Sequence, residues 1–217
     1  MRGFFISLEG TEGAGKSSAA VYLAAEFKKY DIDLLMTREP GGTKIAEQIR
    51  ILLLENHNPN AEQIHENAEL LLMFAARIQH IEQIIKPALS QNKLVICDRF
   101  IDATYAYQGG GRNISSDKIE TLQKLVMPDL LPDLTLLFDL PVEIGLERAN
   151  KRSMPDRFES EQLDFFKRVR EIYLKRANAD SKRIKIVDSC QSFSQIQQQL
   201  SFIAKNIAAQ LQEKKEL

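Results

Sequence analysis

Gly10-Thr11-Glu12-Gly13-Ala14-Gly15-Lys16-Ser17 fits the pattern G-x-x-x-x-G-K-[ST] at every fixed position. Its surroundings turn the pattern into evidence. The apolar run Phe4, Phe5, Ile6, Leu8 precedes it, and a helical periodicity follows it. Gly10, Gly13 and Gly15 let the backbone turn its N–H groups inward, where a Cβ would obstruct the turn or an approaching phosphate. Lys16 supplies a point charge for β- and γ-phosphates, and the Ser17 hydroxyl an oxygen for Mg²⁺. A helix starting near Lys16 adds the positive end of its dipole. These features imply a nucleoside triphosphate site spanning Gly10 to Ser18, and leave open what becomes of the phosphate.

The 217 residues suit a single domain with a sizeable core, 1–217. Apolar residues make up 44% and charged residues 27%, ordinary for a globular protein. A net charge of −1 argues against a broad nucleic-acid footprint, since a neutral chain gains little from counterion release. Arginines that cluster locally are then aimed at small anions. Cys97 and Cys190 lie far apart without metal-ligand spacing and are read as buried thiols in a reducing compartment. No signal-peptide pattern and no apolar run of membrane-spanning length appears, so the expected setting is cytoplasmic, with no membrane partner.

Periodicity predicts strands at about 4–8, 33–37, 94–97, 134–140 and 184–187. Between them lie helical patterns. The first buries Ala20, Leu23, Ala24 and Phe27, and the second is capped by Thr43 after the Pro40-Gly41-Gly42 turn. A long helical region over 61–90 is expected to bend or break near Pro87. Within it Leu70, Phe74, Arg77 and Ile81 share one face, while Ala68, Leu71, Leu72 and Ala75 read as a neighbouring core stripe. Further helices are expected near 115–127, 142–151, 161–179 and 193–212. Apolar strands alternating with helices predict an α/β fold: a five-stranded parallel sheet with helices on both faces.

In such sheets ligands gather beyond the carboxyl ends of the strands. Asp98 ends the third buried run and suits Mg²⁺, directly or through water. Arg99 beside it is costly without an anion and reads as a phosphate clamp, as does Arg38 at the end of the second strand. Two clamps outside the triphosphate loop suggest a second phosphorylated substrate. Phe74 and Arg77 could stack on a base and read its carbonyl. Tyr105 to Arg112, aromatic and then glycine-rich, is expected to be a loop edging a nucleotide pocket. Arg148, Lys151, Arg152 and Arg157 flank Ser153-Met154-Pro155-Asp156, a hinged lid over about 148–160. His57, His65 and His80 read as surface or packing residues.

The ordered set of motifs resembles the thymidylate kinase family, bacterial type, over nearly the whole chain. It comprises Glu9–Ser17, Thr37-Arg38-Glu39-Pro40-Gly41-Gly42-Thr43, Leu71–Arg77, Asp98-Arg99-Phe100, Ala106–Gly110 and Pro132–Thr135. The resemblance implies a P-loop nucleotide-kinase fold and phosphorylation of dTMP to dTDP with ATP and Mg²⁺, in dTTP synthesis. Glu12 then lies near the deoxyribose 3′-hydroxyl, and Arg38 and Arg99 clamp the monophosphate. Phe74 stacks on thymine, Arg77 reaches its carbonyl, and Thr104 meets the base's polar edge. Tyr107 crowds the 2′ position with Gln108 beside it. The catalytic cations are Lys16, Arg99 and the lid residues Arg152 and Arg157, Arg148 is a candidate adenine partner, and a homodimer is implied. Ala103 departs from the family pattern, which usually has serine there. The alternative within kinases is another P-loop deoxynucleoside or nucleotide kinase. A GTP switch lacks its Asn-Lys-x-Asp, since Asn150-Lys151-Arg152-Ser153 has no aspartate. A DNA-linked ATPase lacks a basic groove.

Overall fold

The strands form where apolar runs lack polar alternation, as expected for a sheet covered on both faces. The computed structural model describes residues 2–54, 62–151 and 156–213. β1 (Phe4–Glu9), β2 (Leu34–Arg38), β3 (Leu94–Asp98), β4 (Leu134–Asp139) and β5 (Ile184–Asp188) make one parallel sheet in the order β2-β3-β1-β4-β5. The register pairs Leu8 with Asp98 and Arg38 with Asp98, which aligns the strand ends that carry polar groups. Central β1 and β3 are almost wholly buried, whereas the edge strands β2 and β5 are half-exposed.

The helices are α1 (Lys16–Lys28), α2 (Lys44–Leu54), α3 (Glu66–His80), α4 (Lys86–Ser90) and α5 (Ile101–Thr104), then α6 (Ser116–Val126), α7 (Val142–Asn150), α8 (Leu163–Ala179) and α9 (Phe193–Glu213). Successive strand side chains point to opposite faces, and the cores follow that alternation. Ile6 and Leu8 pack with Leu23 and Phe27 of α1 and Leu200 and Ala204 of α9. Phe5, Val95 and Cys97 pack on the other face with Leu70 and Phe74 of α3 and Leu89 of α4. Phe165, Phe166, Val169 and Tyr173 of α8 complete that layer against Leu137 and Ile184.

The regular helix is interrupted near Pro87, as expected, by a π-helical segment, Ile81–Ile85. A proline ring crowds the carbonyl four residues back, here Gln83, and the widened turn makes room for it. Tyr105–Gly111 is a second π-helical segment, not a loop with a mobile edge. Its glycines serve close packing: a Cβ on Gly111 would meet the Phe165 ring at 2.3 Å, and one on Gly110 the Arg168 carbonyl oxygen at 2.8 Å. Ala68, Leu71 and Ala75 face outward on α3, with Leu71 57% exposed, so periodicity found an apolar seam that the core does not use. Cys97 is buried as expected, but Cys190 is exposed, in the turn after β5.

Candidate active site

β1 lies between β3 and β4, and the chain leaves it toward both sides, so a crevice opens beyond the carboxyl ends of β1 and β3. A cavity of about 220 Å³ occupies it, walled by Glu12 to Ser17, Arg38, Glu39, Asp98, Arg99 and, further out, Thr104, Tyr107 and Gln108. The polar residues expected at the strand ends therefore do converge.

The loop from Gly10 leads into α1 through Gly15, whose φ of 90° is a left-handed value that favours glycine. The N–H groups of Lys16, Ser17 and Ser18 open the helix and have no intrahelical acceptor, which leaves them for an anion. Thr11 and Ala14 are buried, whereas Ser17 and Ser18 are exposed at the mouth. Gly13 is small for an additional reason: a Cβ there would meet the Gly145 carbonyl oxygen of α7 at 2.0 Å. Lys16 donates to the carbonyl oxygens of Gly10 at 2.9 Å and Thr11 at 2.8 Å. Burial, helped by the charge of Arg99, brings its pKa down to about 8.

Arg99 adopts φ 65°, unusual for a side-chain-bearing residue. The turn is held by two long-range bonds: Arg99 N–H donates to the Leu8 carbonyl at 2.9 Å, and Phe100 N–H to Glu9 Oε1 at 2.7 Å. The guanidinium then donates to Glu12 Oε1 at 2.6 Å and to the Tyr107 hydroxyl at 2.9 Å. Burial opposes its charge, but Tyr107 and Glu12 outweigh burial and raise its pKa. Burial likewise opposes ionisation of Glu12; Arg99 and Lys16 outweigh it and lower that pKa. Arg38 pairs with Glu47 at 2.7 Å. Arg50 of α2, which no sequence motif singled out, joins the cavity wall and donates to the Pro40 carbonyl at 2.9 Å. Burial, and then the charge of neighbouring Arg38, lower its pKa.

On the opposite wall Arg77 donates through Nε to Glu39 Oε2 at 2.7 Å and through Nη2 to the Phe100 carbonyl at 3.1 Å. Its Nη1 is buried with no partner, so one donor of a cavity-lining guanidinium remains unassigned. His80 is no bystander. Its Nδ1 lies 3.0 Å from Glu39 Oε1 and its Nε2 2.7 Å from the Thr37 hydroxyl. Since a carboxylate only accepts, Nδ1 carries the proton. Phe74 does not reach the cavity; it is buried against Phe100 and Leu70, under the Arg77 guanidinium. Met73 lines the wall instead. It precedes Arg77 by four residues, a spacing that stacks side chains along a helix face as well as the three of Phe74. Thr104 and Ala103 also line the wall.

Of the lid cations, Arg157 turns away from the loop. It donates to Glu69 Oε2 and to the Leu53 carbonyl, both at 2.7 Å, while its neighbours Asp156, Phe158 and Glu159 face the cavity. Arg152 lies outside the described residues. Arg148 sits one turn beyond Gly145 and donates to the Ser189 carbonyl at 3.2 Å, off the cavity wall. For Mg²⁺ the donor set fits: Asp98 Oδ1 is buried without a hydrogen-bond partner, and the Ser17 hydroxyl shares the same cavity. Two protein oxygens suffice for an ion that takes its remaining ligands from phosphate and water.

The thymidylate kinase family model matches residues 8–200. A thymidylate kinase of Pseudomonas savastanoi pv. phaseolicola is 54% identical over 200 residues, covering 92% of this chain and 94% of its own. One from Pseudomonas putida is 51% identical over 207 residues, covering 95% and 97%. The crystal structure of thymidylate kinase from Ehrlichia chaffeensis superposes with a TM-score of 0.69 at 34% identity, covering 85% of this chain and 92% of that one. The chain belongs to the thymidylate kinase family.

Proposed function

We propose that this protein transfers the γ-phosphoryl group of ATP to the phosphate of dTMP, giving ADP and dTDP for dTTP synthesis. The observation that carries this reading is one cavity joining a phosphate loop to three arginines, Arg38, Arg50 and Arg99, with Arg77 in the same wall. A triphosphate on the loop and a monophosphate on the arginines would meet end to end, and Arg77 would donate to a base carbonyl.

A phosphate monoester is largely ionised near neutral pH, so its oxygen attacks the γ-phosphorus without a strong general base. The chain's task is then alignment and charge neutralisation. The open N–H groups of α1 and Lys16 hold the triphosphate, and Arg38, Arg50 and Arg99 hold the acceptor phosphate. Ser17 and Asp98 would hold Mg²⁺, which bound there neutralises charge on the β- and γ-oxygens. The segment around 148–160 acts as a lid that excludes water. Arg152 is the lid cation assigned to the transferring group; Arg157, committed to Glu69, anchors the lid stem. The protein is assigned to the cytoplasm, in keeping with the absence, among the described residues, of any helix long and apolar enough to cross a membrane.

A homodimer is part of this reading. Leu71 and Ile78 on α3, with Ile51 and Leu52 on the adjoining α2, expose 40–62% of their surface, and Ala68 and Ala75 of α3 are exposed as well. Such a seam suits a self-complementary helix interface. The function is tested by measuring ADP release across dTMP, dUMP, UMP, dCMP and thymidine, with and without Mg²⁺. Preferred, Mg²⁺-dependent turnover of dTMP is expected; equal turnover of UMP or of thymidine would overturn the assignment.

A further inference from the structure

Glu69 of α3 is fully buried, and its two oxygens have different tasks. Oε1 accepts from Gln108 Nε2 at 2.8 Å. Oε2 accepts from Arg157 Nη2 at 2.7 Å and Arg112 Nε at 3.3 Å. Two guanidinium groups, one from the lid stem and one following the second π-helical segment, thus balance the carboxylate and fix its orientation. Arg112 and Arg157 are themselves held over the Phe158 ring, 5.6 and 4.5 Å from its centroid.

The consequence falls on Gln108, which lines the cavity together with Thr104 and Arg77. An amide has a donor end and an acceptor end, and nothing in its shape favours one orientation. A carboxylate accepts only. Glu69 therefore selects the NH₂ end of Gln108 and turns the carbonyl end away from itself. Arg77 lines the same cavity, and its guanidinium can only donate. The two side chains then offer the cavity one fixed donor and one fixed acceptor.

We propose that Glu69 is a specificity-determining positioning residue: by fixing the polarity of the Gln108 amide, it makes the base pocket select a pyrimidine imide edge and reject an amidine edge. Thymine offers a carbonyl beside an N3–H, which satisfies donor and acceptor. Cytosine offers an amine beside an N3 lone pair, which reverses both and leaves buried polar groups unpaired. This proposal rests on the dTMP reading above.

The test compares kcat/KM for dTMP and dCMP in the full-length protein, at saturating ATP, with thermal melts to confirm folding. Glu69→Gln keeps the shape, but Arg112 and Arg157 only donate and so claim its carbonyl, which leaves its NH₂ toward Gln108 and reverses the imposed orientation. The expected result is a fall of about tenfold or more in the dTMP-to-dCMP ratio, carried by KM rather than kcat. Glu69→Asp, which still only accepts, keeps the ratio within about threefold of wild type. Gln108→Leu lowers the ratio, and adding Glu69→Gln to it produces no further drop. An unchanged ratio in Glu69→Gln, an equal loss on both nucleotides, or the same fall in Glu69→Asp overturns the proposal. If Glu69→Gln does not fold, Gln108→Leu decides: an unchanged ratio overturns the proposal and a collapsed one supports it. Wild-type protein inert toward dTMP would instead overturn the underlying reading.

Discussion

Glu9→Gln should stabilise this protein, and only above about pH 5. Glu9 ends β1 with no surface exposed; its carboxylate accepts from Phe100 N–H at 2.7 Å and the Tyr173 hydroxyl at 2.8 Å. Burial, and then the charge of Asp102, raise its pKa from 4.5 to about 7. In the window between those values the folded protein holds a proton that the unfolded chain has released, so stability falls as pH rises. The contribution is fully present below 4.5 and lost above 7. At ~1.4 kcal/mol per pH unit the whole span is worth about 3 kcal/mol, of which about 2–3 kcal/mol develops between pH 5 and 8. Glutamine keeps the shape and the acceptor for Phe100 without the buried charge. The melting temperature of the variant relative to wild type should therefore rise by roughly 5–10 °C from pH 5 to pH 8 in a chain of this size. Thermal unfolding at matched ionic strength measures it, and taking the difference cancels other titrating groups. A difference that stays flat across that window would refute the account of a charge held against its solvation.

Arg99→Ala should lower turnover by about 10²–10³-fold while leaving ATP affinity within about threefold, since Arg99 faces the acceptor side; single-turnover kinetics and equilibrium ATP binding separate the two. With the Lys16 pKa held down to about 8, ATP binding at pH 8 should restore the charge. Calorimetry in buffers of different ionisation enthalpy should then register uptake of about half a proton per site, shrinking toward zero at pH 6.5. Leu71→Arg in the exposed seam of α3 should shift the protein from dimer to monomer in sedimentation velocity at micromolar concentration, with the fold intact by circular dichroism.

The parts of the site that were legible in the sequence are those in which neighbours along the chain are neighbours in space. The loop from Gly10 to Ser17 forms where expected because strand, turn and helix start are contiguous, and Asp98 and Arg99 reach the cavity because they lie at the end of a buried strand. What escaped notice depends on pairs distant in sequence. His80 read as a surface or packing residue because its partner Glu39 is 41 residues away, and Glu69 drew no notice because Gln108 and Arg157 lie 39 and 88 residues on. Helical periodicity also could not rank Met73 against Phe74, because both are within one turn of Arg77 and only the packing of Phe100 decides which faces inward. The seam at Leu71 shows a further limit: an apolar stripe records that something apolar must cover it, and not whether that cover belongs to the same chain.

The charges in the cavity share one arrangement. Lys16 rests on two carbonyls, Arg99 on Glu12, and Arg38 on Glu47. For Lys16 and Arg99, largely withdrawn from water, a missing partner would be expensive, and half-exposed Arg38 is paired as well; each holds a provisional partner that a phosphate can displace. A phosphomonoester near neutral pH carries between one and two negative charges against the single charge of Glu12, so the exchange at Arg99 runs toward substrate. Glu12, released, keeps the Tyr107 hydroxyl at 2.7 and 2.8 Å but loses its strongest donor, and becomes an acceptor in search of one at the side of the cavity where the sugar would lie. Under the proposed function, the acid that pairs with Arg99 would then be positioned to bond a sugar hydroxyl, and the displacement that frees the clamp would also complete recognition of the nucleotide.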